Sequence, residues 1–221
     1  MPTLIKICGL STADTMKTAL DTGADLVGLV FFPKSPRHVF FDTARELADM
    51  ARGKAEIVAL TADADDALLT EITDKINPDW LQLHGSETPE RMREIRNRFA
   101  TPVMKALGIR EHGDLDAIER YAGIADRILF DSKPPKGATV PGGSGKRFDW
   151  HLLESLDLDT TFMLSGGLDA GNVADALEIT GAGAVDVSSG VEAARGVKDP
   201  VLIRTFIETV RTFEKERGQA K

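Results

Sequence analysis

Phe162-Met163-Leu164-Ser165-Gly166-Gly167-Leu168 and Ala184-Val185-Asp186-Val187-Ser188-Ser189-Gly190-Val191 decide the fold. Each is a short apolar run that ends in glycine and serine. Between them, Asp169 to Thr180 has the pattern of a helix, closed by Gly181. The order is strand, glycine turn, helix, strand, glycine turn. Neighbouring parallel strands that carry glycine and serine at their carboxyl ends suit an oxyanion. Glycine lets backbone N–H groups approach, and a helix N-terminus adds favourable partial charge. In a (β/α)8 barrel the usual phosphate site follows strands seven and eight, beside a short extra helix. Val191 to Arg195 is the candidate for that helix.

Outward from this stretch the same alternation continues. Apolar runs at Leu4–Cys8, Asp25–Phe32, Glu56–Leu60, Trp80–His84, Pro102–Ala106 and Arg127–Asp131 read as strands. Helices are expected from Ser11 or Thr12 to Thr22, with Gly23 as the stop, and from Asp42 to before Gly53. Others run from Asp63 or Asp65 to before Asn77-Pro78, and from Thr88-Pro89-Glu90 onward. Asp114–Tyr121 is a weaker helix, Asp149 caps one to about Leu156, and Asp199-Pro200 starts the last, to about Arg217. Strand and helix alternate eight times, so the expectation is an α/β (β/α)8 TIM barrel, one domain over residues 1–221. A doubly wound open sheet is the alternative. It would place its glycine-rich turn after the first strand, where only Gly9 stands. The loop Ser132–Lys146 contains Gly142-Gly143-Ser144-Gly145; loops this long are usually functional or disordered.

The 221 residues are 42% hydrophobic and 28% charged, an ordinary globular balance. A net charge of −8 argues against a nucleic-acid partner, which needs a basic face. It leaves room for a small anion, for which a few N–H groups and one arginine suffice. The lone Cys8 forbids an internal disulfide and fits a reducing compartment. The N-terminus lacks a signal-peptide pattern, and no apolar run approaches the roughly 20 residues of a membrane span. A cytoplasmic protein is expected, with no membrane partner; monomer and homodimer are both open.

In such barrels the chemistry sits at the carboxyl ends of the strands. Residues two apart share a strand face, so Lys6 joins Cys8 and Gln82 joins His84, while Asp131, Asp186 and Ser188 lie at later strand ends. A buried thiol is most simply a small hydrophobe. Here the strand-end position and Lys6 on the same face favour a thiolate, because a nearby ammonium lowers a thiol's pKa from about 8.5. Asp131 is read two ways: as a cap, or as a partly desolvated carboxylic acid able to donate a proton. Arg37, between prolines and His38, is either a solvated charge or a bidentate grip on a substrate carboxylate. Gln82 and His84 look like a satisfied polar pair. Lys6, Lys105 and Lys133 each have the chemistry of a Schiff-base lysine, and each is more simply an electrostatic or ion-pair residue. The four histidines show no metal-ligand spacing, and a lone thiol makes a structural zinc site a poor fit.

An ordered series of segments carries a resemblance. Lys6-Ile7-Cys8-Gly9-Leu10, Leu81-Gln82-Leu83-His84-Gly85, Leu129-Phe130-Asp131, Pro141-Gly142-Gly143-Ser144-Gly145 and Phe148-Asp149-Trp150 form its first part. Leu164-Ser165-Gly166-Gly167-Leu168, Asn172-Val173 and Asp186-Val187-Ser188-Ser189-Gly190-Val191-Glu192 complete it. Together they resemble the phosphoribosylanthranilate isomerase family of tryptophan biosynthesis. The resemblance implies an Amadori rearrangement of a phosphorylated aminoaldose to an aminoketose, without cofactor or metal. It implies Cys8 as base and Asp131 as acid, with Lys6, Arg37, His84 and Asp186 toward the substrate. Arg37 would hold the anthranilate carboxylate. Gly166, Gly167, Ser188, Ser189 and Gly190 would hold the phosphate, with Gly143, Ser144 and Gly145 folding over it. Rivals are the histidine-pathway isomerase of the same reaction type, a Schiff-base aldolase using Lys105 or Lys133, and a barrel that binds phosphate without catalysis. The first should carry aspartate in place of Cys8 and a second phosphate cradle after strand four, where His84-Gly85-Ser86 is unconvincing.

Overall fold

A computed structural model describes residues 2–133, 145, 147–154, 156 and 162–219. Eight parallel strands close into a barrel in chain order: β1 Leu4–Cys8, β2 Leu26–Val30, β3 Glu56–Thr61, β4 Trp80–Leu83, β5 Val103–Ile109, β6 Arg127–Ser132, β7 Met163–Leu164 and β8 Ala184–Val187. Strand β8 returns to β1, with Lys6 in register with Asp186. Around them lie α1 Ala13–Thr22, α2 Phe41–Ala51, α3 Asp66–Ile76, α4 Pro89–Phe99, α5 Ala117–Tyr121, α6 Val173–Thr180 and α7 Pro200–Gln219. The TIM barrel expected from the alternation is thus what forms.

The helix starts follow local chemistry. Thr12, Asp65 and Thr88 each accept an N–H bond from the residue three positions on, and Pro89 occupies the first turn of α4. Helix α2 differs: Phe40 stands at its cap without a side-chain bond. Two expected helices are shorter and tighter. Asp114–Tyr121 splits into a 3₁₀ turn, His112–Asp116, and the five-residue α5. Asp149 caps only a 3₁₀ turn, Trp150–Leu153.

The strands are clamped in pairs at the amino end of the barrel. The Ile5 N–H donates to Asp25 at 2.8 Å, that of Ile57 to Asp79 at 2.7 Å, and that of Val103 to Asp126 at 2.9 Å. Each aspartate sits just before one strand and receives an N–H from the strand preceding it. Inside the barrel, Leu26, Val58, Met104, Ala106, Leu129, Met163 and Ala184 form a buried apolar layer. Below it Trp80 donates its indole N–H to Glu56 at 2.8 Å, and the Arg127 guanidinium lies 4.7 Å over the same ring. Polar side chains fill the opposite, carboxyl end.

One expectation fails here. Val191 to Arg195 is not a helix. A 3₁₀ turn, Ser189–Val191, leads into β9 Glu192–Ala194, which pairs antiparallel with β10 Val197–Lys198. Gly196 makes the reversal at φ +84°, a left-handed conformation that glycine adopts freely. An added Cβ there would come within 2.8 Å of the Pro36 carbonyl oxygen. The hairpin therefore folds onto the loop after β2, and that contact outweighs the local helical pattern.

Candidate active site

The pleat sends Lys6 and Cys8, Gln82 and His84, Asp131, and Asp186 inward at the carboxyl end of the barrel. One cavity opens there, roughly 670 Å³ including space open to solvent, a size suited to a small molecule. Cys8, His84, Asp131, Asp186 and Arg37 line it. The ends of β2 and β3 supply an apolar side, Val30, Phe32, Leu60 and Ala62, while Ser165, Gly166, Gly167, Ser188 and Ser189 come from β7 and β8.

Lys6 lies below this lining, fully buried. Its ammonium donates to Asp186 Oδ1 at 2.8 Å and to Gln82 Oε1 at 2.8 Å. Burial, the largest single cause, lowers the pKa of Lys6, but Asp186 and Cys8 together more than offset it, and the net shift is upward. Ser165 Oγ donates to Asp186 Oδ2 at 3.1 Å, so both oxygens of that carboxylate are held.

Cys8 departs from expectation. Its thiol is pushed up, not down: burial is the largest cause, and Lys6 and Lys198 only partly oppose it, with Asp186 adding to the rise. The Lys6 charge is already committed to Asp186 at 2.8 Å, so it cannot act on sulfur as an isolated cation would. Gly28 stands beside Cys8 in register, and a Cβ on it would come within 2.8 Å of Sγ. The space for the sulfur is thus made by a missing side chain on β2.

On the opposite side, Asp131 is held by the Ser132 N–H at 2.7 Å and lies 3.2 Å from His84 Nε2. His84 Nδ1 in turn is 3.0 Å from the Gln82 amide nitrogen. Gly166, at φ +86°, packs on this acid; a Cβ there would come within 2.5 Å of the Ser132 nitrogen and 3.1 Å of Asp131 Oδ1.

Arg37 is buried, and its guanidinium forks onto Glu192 through Nε at 2.6 Å and Nη2 at 3.0 Å. Its remaining N–H groups are those available to a ligand. Lys198 joins the cluster, donating to Glu192 at 2.9 Å, to the Ser188 carbonyl at 2.7 Å and to Ser188 Oγ at 3.1 Å. Burial would raise the Glu192 carboxyl, but the Arg37 bond and the Lys198 charge and bond hold it down to about 2. Lys198 itself is pulled below its ordinary value, chiefly by burial, against the charge of Glu192. Sequence reading missed Glu192 and Lys198 as site residues. Gly196 between them was the available signal, since a hairpin sets positions 192 and 198 side by side.

Gly167, at φ +70°, continues the turn after Gly166. Among the described residues, no protein acceptor meets the N–H of either glycine. Gly190 does not line the cavity. It is pressed against Leu168, whose carbonyl oxygen a Cβ would overlap, so it joins the loops after β7 and β8. Gly145 lies near Ser189, its Cβ position 3.6 Å from the hydroxyl. Gly143 and Ser144 fall outside the described residues. Lys105 binds Glu87 and the Gly85 carbonyl, and Lys133 pairs with Asp114, so neither ammonium is aimed at the cavity as a Schiff-base lysine would be.

Residues 5–209 match the family model described as N-(5'-phosphoribosyl)anthranilate (PRA) isomerase. A protein of that name from Rhodopseudomonas palustris strain BisB5 is 58% identical over 215 residues, covering 97% of this chain and 99% of its own. The solved structure of phosphoribosyl anthranilate isomerase from Thermotoga maritima superposes with a TM-score of 0.85 at 34% identity, over 95% of this chain and 99% of that one. A further structure of the same enzyme type was solved in complex with reduced 1-(o-carboxyphenylamino)-1-deoxyribulose 5-phosphate. It gives a TM-score of 0.83 at 31% identity, over 95% of this chain and 99% of that one.

Proposed function

Because this chain belongs to the N-(5'-phosphoribosyl)anthranilate isomerase family, and so catalyses the Amadori rearrangement used in tryptophan synthesis, we propose that Asp131 is its acid and Cys8 its base. The reaction takes N-(5-phosphoribosyl)anthranilate to 1-(2-carboxyphenylamino)-1-deoxyribulose 5-phosphate. Asp131 gives a proton to the furanose ring oxygen; the C1–O bond breaks and a C1=N iminium forms. Cys8, as thiolate, removes the proton from C2, and that electron pair neutralises the iminium to an enolamine. Return of a proton to C1 and loss of the C2 hydroxyl proton give the ketone, with no net change in protons. The iminium is its own electron sink.

The observation that carries this reading is that Cys8 and Asp131 line one cavity, an apolar side at β2 and β3 and glycine turns at β7 and β8 flanking them. The apolar side suits an aromatic ring, and the free N–H groups of Arg37 suit its carboxylate. The turns at Gly166-Gly167 and Ser188-Ser189 suit the phosphate. Asp186, fixed by Lys6 and Ser165, orients the amine or a sugar hydroxyl. Burial favours the neutral thiol of Cys8, so forming the thiolate calls for a further positive charge close by. The cationic iminium beside it lowers the cost of a thiolate, because an opposite charge within a few ångströms favours the ionised form.

The test is substrate decay followed by fluorescence for Cys8→Ala and Asp131→Asn. Each should lose at least about 100-fold in kcat, the usual contribution of a general acid or base. Near-normal turnover by either variant removes that residue from its role.

A further inference from the structure

Donor and acceptor rules fix a proton that the coordinates do not show. The Lys6 ammonium only donates. The Gln82 atom 2.8 Å from it must therefore be the amide oxygen, which leaves the NH₂ group facing His84 Nδ1 at 3.0 Å. An amide nitrogen also only donates, so His84 Nδ1 must be the acceptor. The ring is then neutral with its proton on Nε2, and Nε2 donates to Asp131 Oδ2 at 3.2 Å. Every bond in the chain Lys6, Gln82, His84, Asp131 points the same way. Reversing Gln82 would turn its NH₂ toward an ammonium, and Gln82 is fully buried, out of reach of bulk solvent that could relieve that clash.

We infer that Gln82 is a positioning residue: it holds His84 as the Nε2–H imidazole, whose donated bond stabilises the carboxylate that Asp131 becomes once it has protonated the substrate. The inference rests on the reading of Asp131 as the acid. A ring protonated on Nδ1 instead would present a basic Nε2 to Asp131 and take up the proton meant for the sugar. A ring protonated on both nitrogens would set a donor against the Gln82 amide. The chain excludes both, which leaves His84 as a donor and not the source of the proton. A second consequence is that Lys6 serves both sides of the cavity. It binds Asp186 directly and sets the orientation of Gln82 that reaches Asp131.

The experiment is nitrogen NMR on full-length protein labelled in histidine, with His84→Asn to assign the ring, beside kinetics of Gln82→Glu, Gln82→Leu and Asp131→Asn. In the wild type the His84 Nε2 should carry the proton and Nδ1 should show the shift of an unprotonated acceptor. Gln82→Glu keeps the side-chain shape but replaces the donor by a carboxylate. It should bring a proton onto Nδ1 and lower kcat about 100-fold, the scale of one misplaced acid–base group, with KM changed less than about 3-fold. Gln82→Leu should give a mixture of ring tautomers and a smaller loss in kcat. A wild-type spectrum with the proton on Nδ1 overturns the inference whether or not a variant folds. So does Gln82→Glu with a shifted proton and kcat within about 2-fold of normal, provided Asp131→Asn is inactive. If Asp131→Asn stays active, the reading of the acid is what fails.

Discussion

At Cys8, burial and charge oppose each other, and burial wins. The sulfur sits beside two ammonium groups, Lys6 and Lys198, yet its pKa is raised. In the ligand-free protein the thiolate ultraviolet absorbance should therefore titrate above the range of a free cysteine. Lys198→Met should move that midpoint higher still, because a stabilising cation is gone. A midpoint at or below that of free cysteine would contradict the account. The Arg37–Glu192 pair sets a different pH dependence. Glu192 titrates at about 2 in the folded protein against 4.5 for the free group. A depressed carboxyl stabilises the fold above its unfolded value, and that contribution is lost as pH falls through the folded one. The window is about pH 5 to 2, and the linked contribution is on the order of 3 kcal/mol. The urea midpoint of the wild type should fall more steeply over that window than that of Glu192→Gln. Parallel curves would show that the pair carries no such linkage. Removing one partner of a buried pair also leaves the other uncompensated, so Glu192→Gln should be less stable at neutral pH as well.

The elements owe their alignment to a few side chains at their ends. Asp25, Asp79 and Asp126 each bind the backbone N–H of the strand before them, so register is fixed where strand hydrogen bonding begins. A hydrogen bond to a charged group contributes about 1.5–3 kcal/mol. Asp79→Ala should therefore lower unfolding free energy by roughly that amount, with kcat nearly unchanged, because the site is at the other end of the barrel. A loss below about 0.5 kcal/mol in urea denaturation would mean that the strands align without the clamp. The β9–β10 hairpin does the corresponding work at the carboxyl end. It carries Glu192 to Arg37 and Lys198 to Ser188, joining the loops after β2 and β8. A helix over Val191–Arg195 would not have paired residue 192 with residue 198 as the hairpin does. The pattern of small and polar residues there does not distinguish the two outcomes; the contact of Gly196 with Pro36 does.

Across the whole molecule, a ligand in the cavity would touch strand ends from both halves of the barrel. Product binding should therefore stabilise global unfolding. At 100 times its dissociation constant the gain is about 2.7 kcal/mol. For a chain of 221 residues that corresponds to a rise in Tm of roughly 5–10 °C. No shift at saturating product would argue that these loops do not close on the ligand together. The order of strands and the cap at Thr88 were legible in the sequence, and the caps at Thr12 and Asp65 to within one alternative each, Ser11 and Asp63, since each depends on residues only a few positions apart. The polar strand ends were legible too, because the two-residue period fixes which side chains face inward. The pairings among those side chains were not: Lys6 meets Asp186 across 180 positions, and Arg37 meets Glu192 across 155. The sequence by itself determined a closed barrel with its polar side chains gathered at one end. Only the tertiary structure decided which charges neutralise one another and how far burial outweighs them at Cys8. Coulomb attraction and desolvation depend on distance and on exclusion of water, and neither is set until the last strand has closed on the first.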